Sequence, residues 1–446
     1  MDNTLYELAF QLKSEKLWEK LSEEDLFAVR LPDGEIGYCS VMGMAGKHYA
    51  LALYPGERGI QTYYRMLESE IEDPITQAEY PASLECLTCS FESKDMLSDE
   101  EIAAVHAYTS SVGKRLRGSN AFPLFTKFRI GRYPWKLETE QDELWLRQAL
   151  CAALHVSKLI RERGIRSWRL PEPEQEKALQ SEAVQSTFTQ LSMFGEGAEQ
   201  SYPAEEPALP KKQKNRIDMA KDLLQTLPLL EQVNGCWKVR QILKPKPSLQ
   251  WPTPAFTNGI TVEYLRRVKK KGVWECGTMY SSLPVQLDDD ELEAPFFPML
   301  LVSVKHANGR RLDPPILSET GEPEELIREF ADCLRQIGCP KTILTGDDRC
   351  FALLSDLCEK IGVELDNAAS PRYLYEAMED LLSEEEEEYE SYNDPEKRKE
   401  LCEMLMSLPD EAFRQMPPSL KRDLRHLSEE GMFPEEVTKR LNRLNR

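Results

Sequence analysis

"TILTGDDRCFALLSDLCEKIGVEL", residues 342–365, is the stretch on which the fold turns. A short apolar strand, 342–345, runs into two adjacent carboxylates, Asp347 and Asp348, and a helix follows over 350–361. In that helix Cys350, Leu353, Leu354, Leu357, Cys358 and Ile361 form one stripe at helical spacing. Gly362 supplies the stop, and 363–365 starts the next strand. Upstream, "PEELIREFADCLRQIG" reads as a helix with Pro323 at its start and acids in its first turn. Before it, "FPMLLVSVK" is a near-continuous apolar run, as a strand buried on both faces requires. "GVWECGTMYSS" is a further strand, "RLDPPIL" a return strand, and "YLYEAMEDLL" a closing helix. Strands alternating with helices imply parallel pairing within a mixed α/β sheet.

This unit is expected over 216–382, opening with a helix near Arg216. Residues 1–170 read as a separate α+β domain. There "LFAVRL", "IGYCSVM" and "YALALY" are strands, the first two joined by the hairpin signal "PDGE". "LECLTCSF" is another strand. Helices are expected at "LYELAFQLKSEKLWEKL" and "IQTYYRMLES", and at "LSDEEIAAVHAYTSSVGKRL", where Ser98 and Glu101 make a capping box. "FPLFTKFRIGRYPWKL" reads as irregular extended chain, and a long amphipathic helix over "ETEQDELWLRQALCAALHVSKLIRERG" closes the domain. Residues 171–215 are a Pro/Gly/Glu-rich linker. Five glutamates at 384–388 mark a second, acidic linker over 383–396. Residues 397–446 form a short all-α appendage punctuated by prolines.

Composition narrows the function classes. The 446 residues are 41% hydrophobic and 30% charged, as in a soluble globular chain, and the most apolar run is too short to span a bilayer. The N-terminal "MDNTLYELAF" lacks the basic and apolar regions of a secretory signal. Eleven scattered cysteines suggest reduced thiols and a cytoplasmic setting. Net charge is −21, and neither 1–170 nor 216–382 is basic overall, so nucleic-acid binding would need a local patch. The densest basic run is "RRVKKK", where Arg266, Arg267, Lys269, Lys270 and Lys271 are candidate contacts for a nucleic acid or other anionic partner, or the solvated end of a hairpin or helix before Gly272.

The remaining motifs are weak. Cys86 and Cys89 form the single Cys-x-x-Cys, but a structural zinc needs four ligands and no second pair exists. Alternation along a strand puts the two sulfurs on opposite faces. The five histidines are dispersed, and there is no Gly-rich phosphate loop or nucleophile elbow. No cofactor is expected.

The element order over 274–382 resembles the ribonuclease-H-like core of integrases and transposases. "GCPKTILTGDDRCFALLSDLCEKIGVEL" is similar to the integrase stretch in which a strand ends in a metal-binding Asp. A Gly-Pro precedes that strand and a Phe opens the helix, matched here by Gly338, Cys339–Pro340 and Phe351. The resemblance implies two-metal phosphoryl chemistry, which needs an acid on the first strand and another on a late helix. On the first strand the implied position falls on Cys276 or Gly277, and Glu275, one residue away, points to the other face. Taking "PMLLVSVKH" as first strand offers only Lys305 and His306. Asp347 and Asp348 then read as turn residues at the positive end of a helix.

Up to about residue 382 the chain also resembles a bacterial two-domain family catalogued as domains of unknown function. "LFAVRLPDGEIGYCSVMG", "GKRLRGSNAFPLFTKFRIGRYPWKLETEQDELWLRQAL" and "FPMLLVSVKHANGR" carry that likeness, with the stretch quoted first. It implies the domain boundaries and no activity. The expected function is a non-catalytic binding or adaptor protein with a degenerate ribonuclease-H-like domain, its C-terminal helices a candidate surface for a protein partner. The alternative is a metal-dependent nuclease or nucleic-acid-processing enzyme with Asp347 and Asp348 as catalytic ligands. A third reading is a small-molecule enzyme with its site between the domains.

Overall fold

The computed structural model describes residues 3–68, 74–165, 167–169, 225–248, 250–285, 294–313, 315–318, 322–393, 395–407 and 433–444. They fall into two compact units, each assembled from segments that are not contiguous in sequence. The first takes residues up to Arg65, then Glu85–Lys127 and Lys136–Ser248. The second takes Met66–Leu84, Phe128–Trp135 and the chain from Leu249 onward.

In the first unit α1 (Asn3–Glu15) precedes a meander of β1 (Phe27–Arg30), β2 (Ile36–Met42) and β3 (Ala50–Pro55). α2 (Gly56–Glu68) follows, then α3 (Pro74–Ser83), which belongs to the second unit, and β4 (Cys86–Glu92). α4 (Asp99–Ser111) starts at Ser98, whose side chain accepts from the Glu101 N–H while Glu101 reaches back to the Ser98 N–H. β5 (Phe122–Phe128) and β6 (Trp135–Lys136) come next. Their stretch was expected as irregular extended chain; its "FPLFTKF" part is a regular strand that extends the sheet beyond β4. α5 (Glu140–Arg163) opens with a second capping box, Thr139 with Asp142.

The sheet is completed from far along the chain. β7 (Thr226–Val233) pairs in parallel with β1, and β8 (Cys236–Leu243) returns antiparallel to β7. These residues were expected in the second domain, after a helix. Asn234 and Gly235 have φ of 53° and 77°, the two positive values of a two-residue hairpin loop whose twist matches its strands. That local geometry fixes a hairpin, and the apolar "LPLL" of β7 finds its buried place beside β1. The order is β6-β5-β4-β3-β2-β1-β7-β8. Leu5, Leu12, Leu146, Leu150 and Val156 from α1 and α5 pack on Phe27, Val29, Cys39, Val41 and Leu51.

The second unit holds α6 (Gly259–Arg267), β9 (Val273–Tyr280), β10 (Met299–Lys305), β11 (Arg310–Arg311) and β12 (Ile316–Leu317). α7 (Pro323–Ile337), β13 (Thr342–Thr345), α8 (Asp348–Ile361) and β14 (Glu364–Asp366) follow. The sheet order is β11-β10-β9-β13-β14, with β12 also on β10. β9, β10 and β11 are antiparallel neighbours, whereas β13 runs parallel to both β9 and β14. Leu265, Leu326, Phe330, Leu354 and Leu357 of α6, α7 and α8 share a core with Trp274, Cys276 and Leu301 on one sheet face. Met279, Leu300, Val302 and Val304 face the other way, against α9 (Leu374–Asn393). Burial on both faces explains the near-continuous apolar run of β10.

The stretch expected as an acidic linker is helical at its start. α9 runs through the glutamates at 384–388, a residue type that favours helix. Glu384 pairs with Arg311 at 2.8 Å, and Glu385 accepts from the Ser282 N–H at 2.9 Å. α10 (Pro395–Ser407) and α11 (Glu435–Leu444) are the described parts of the appendage. The linker expected at 171–215 and the helices expected within 408–432 lie outside the described residues. No described helix is long and apolar enough to cross a membrane.

Candidate functional site

Thr345 stands opposite Cys276 in the parallel β9–β13 ladder, so the chain leaves β13 level with the C-terminal half of β9. Asp347 is the N-cap of α8: its Oδ1 accepts from the Cys350 N–H at 2.7 Å. The same oxygen accepts the Thr278 hydroxyl at 2.9 Å, and Oδ2 accepts the Thr278 N–H at 2.9 Å. Three donors therefore fill the carboxylate. Asp348 is exposed and accepts from Asn367 Nδ2 at 2.7 Å. The two adjacent acids serve different partners and converge on nothing shared.

The residue that follows was not singled out from the sequence. Arg349 is buried at 4% exposure, and its Nε donates to the Thr278 hydroxyl at 2.8 Å. Its Nη2 donates to Glu79 Oε1 at 2.6 Å and to the Thr278 carbonyl at 2.8 Å. Glu79, itself buried on α3, also accepts the Tyr280 N–H at 2.8 Å. The guanidinium lies 4.6 Å from the Tyr280 ring centre and 5.5 Å from that of Trp251, in cation–π range of both. Burial pushes its pKa down, but the charges of Glu79, Tyr280 and Asp347 and the Glu79 hydrogen bond outweigh that and hold it above the ordinary value. Nη1 is buried with no hydrogen-bond partner among the described residues. Where the nuclease reading needs a second acid beside Asp347, the fold supplies Thr278 and a buried cation.

Glu275 sits on the opposite face of β9. It is fully buried and accepts the Tyr373 and Leu374 N–H groups, at 2.7 and 2.9 Å, at the start of α9. Its other oxygen lies 2.5 Å from His306 Nδ1. Burial raises its pKa, but the Tyr373 N–H, the His306 hydrogen bond, the Arg372 N–H and the His306 charge together hold it below the ordinary glutamate value. Lys305, the last residue of β10, is exposed. At the positions where the resemblance implies an acid, Cys276 is fully buried with Sγ 3.3 Å from Ser303 Oγ, and burial pushes its thiol up to about 12 against that contact. A Cβ at Gly277 would meet Leu374 Cδ2 at 2.9 Å and Met378 Sδ at 3.3 Å. A carboxylate there would have to push the Leu374 and Met378 side chains aside.

The basic run is the C-terminus of α6 and the loop after it. Arg266 donates from Nε and Nη2 to the Lys360 carbonyl at 3.1 and 3.0 Å. Arg267 pairs with Glu263 at 2.6 Å. Lys270 caps the helix, donating to the carbonyls of Leu265, Arg266 and Val268 at 3.0–3.3 Å. Lys269 and Lys271 are exposed, and their ammonium groups have no partner among the described residues.

Cys86 and Cys89 are free, buried residues of β4, and burial pushes both thiols well above their ordinary range. Among the described residues no three His, Cys, Asp or Glu side chains form a group that could hold a metal ion.

Residues 3–180 match a family model described as Domain of unknown function (DUF7309), and residues 261–382 match Domain of unknown function (DUF6930). These two matches support a two-domain family. No curated protein and no solved structure matches the chain.

Proposed function

We propose that this chain is a non-catalytic binding or adaptor protein of the bacterial cytoplasm, and that its second unit is a degenerate ribonuclease-H-like module. The strand order supports the fold half of that reading. Taken in chain order, β9, β10, β11, β13 and β14 occupy the third, second, first, fourth and fifth places across the sheet, with the first three antiparallel and the last two parallel to the first. Helices α7 and α8 make the connections into β13 and β14. Eleven free cysteines, most of them buried, fit a reducing compartment.

The observation that carries the functional half is the commitment of Asp347 to Cys350 and Thr278. A two-metal site holds its ions with carboxylates that converge and repel one another until the metal enters. Here each acid near the sheet end already has its own donors. Glu275 caps α9 from the other face, and the Leu374 and Met378 side chains crowd Gly277.

The test is a labelled panel of single- and double-stranded DNA and RNA incubated with manganese and the intact protein. No cleavage is expected. Cleavage that disappears in Asp347→Ala or Asp348→Ala would instead establish the metal-dependent nuclease.

A further inference from the structure

Two large apolar side chains stand out to solvent from α6, among charged neighbours, where a surface helix ordinarily carries polar ones. Ile260 is 87% exposed, and Tyr264, one turn on, is 51% exposed. They line a shallow groove of about 670 Å³ together with Gly259, Glu263, Arg267 and Val268. Arg335 of α7 stands 5.8 Å from the Tyr264 ring centre, and Ile337 at the end of α7 is 52% exposed.

Positive charge borders this face. Arg266 is exposed on α6 itself, and Lys269 and Lys271 follow in the loop with ammonium groups that have no partner among the described residues. The whole chain carries −21, so the patch opposes the sign of the molecule that bears it.

We propose that α6 is a docking surface for an acidic amphipathic helix of a partner protein, an inference that rests on the binding-protein reading above. Ile260 and Tyr264 would take the apolar side chains of such a helix, as in helix-in-groove recognition. Lys269 and Lys271 would meet its carboxylates and set orientation and salt dependence. Nucleic acid fits less well. Arg267 is engaged by Glu263 and Arg335 by Asp332, Lys270 caps its own helix, and an exposed isoleucine has nothing to read on a phosphate backbone.

The experiment titrates the full-length protein into a fluorescein-labelled synthetic acidic peptide of about five helical turns, with leucines along one face. A scrambled peptide, a polyglutamate of equal length and a single-stranded DNA serve as comparison probes. Saturable binding is expected for the amphipathic peptide, with hydrogen-exchange protection appearing over 259–268. Ile260→Ser with Tyr264→Ser should weaken it about tenfold or more. Lys269→Ser with Lys271→Ser should weaken it and flatten its salt dependence. These side chains are exposed, so circular dichroism should show all variants folded. Absence of saturable binding, equal binding of the scrambled peptide or polyglutamate, preference for DNA, or indifference to the Ile260/Tyr264 pair would each overturn the proposal. The nuclease panel reads a different property, so failure of the docking surface and failure of the non-catalytic reading give separate results.

Discussion

Glu79 Oε1 lies 2.6 Å from Arg349 Nη2, joining residues 270 positions apart in a buried ion pair. The pair fastens α3 to the end of β9, because the same glutamate oxygen accepts the Tyr280 N–H. Removing one member strands the other charge in a dry interior, which costs about 3–5 kcal/mol. Arg349→Met alone should therefore lower stability by that order, measured by urea unfolding. Adding Glu79→Gln to it should restore part of the loss. A double variant as unstable as the sum of the two single ones would show that the charges are not coupled.

Asp347→Ala should destabilise by about 2–4 kcal/mol, from a lost N-cap and a buried Thr278 N–H left without its acceptor. Asp347→Asn keeps the capping oxygen and should cost less. Asp348→Ala, at an exposed carboxylate with one amide partner, should stay within about 0.5 kcal/mol. Equal losses at the two positions would contradict this assignment.

Glu275 makes stability depend on pH in a defined direction. Its folded pKa lies below the unfolded value, so its contribution is fully present above the ordinary glutamate pKa of about 4.3 and is lost as pH falls through the depressed folded value. Urea midpoints taken from about pH 6 to about pH 3 should fall more steeply for the wild type than for Glu275→Gln. Parallel curves would remove Glu275 from the account.

The thiols should separate by burial. Alkylation followed by mass mapping should mark Cys236, the exposed cysteine, first. Cys151, Cys333 and Cys402 are half-buried and should follow. Cys86, Cys89 and Cys276 should react only on unfolding, since burial keeps each of them protonated. Purified protein should carry no stoichiometric zinc, and a zinc equivalent lost in Cys86→Ser would reverse the assignment of that pair.

What was legible in the sequence was local. The strand-turn-helix at Thr342–Ile361 shows its cap acid, its apolar stripe and its Gly362 stop within twenty-odd residues, and those signals act over the same range as the structure they specify. The Ser98–Glu101 capping box is of this kind. The hairpin at Asn234–Gly235 was equally local, and its two-residue turn signal outweighs the helical expectation nearby. Arg349 lay inside the decisive stretch, yet nothing periodic could pair it with Glu79. α3 was not among the expected elements, and it carries Pro74 in its first turn and Pro81 in its last, where proline weakens a helical pattern. Side-chain pairing across 270 residues is a property of the assembled sheet, and periodicity does not encode it.

The interleaving of the two units governs how the chain can be made. On a ribosome β1 emerges some 200 residues before β7, its parallel neighbour, and α3 emerges long before the strand it is pinned to. The nascent chain must hold a half-built sheet with an open edge until residue 243 is free, a state of the sort that attracts chaperones. It also follows that no single cut yields either unit entire. A fragment ending near residue 170 lacks β7 and β8, and one beginning near 216 lacks α3 with Glu79, so each would present an unfinished surface where the native protein has a core.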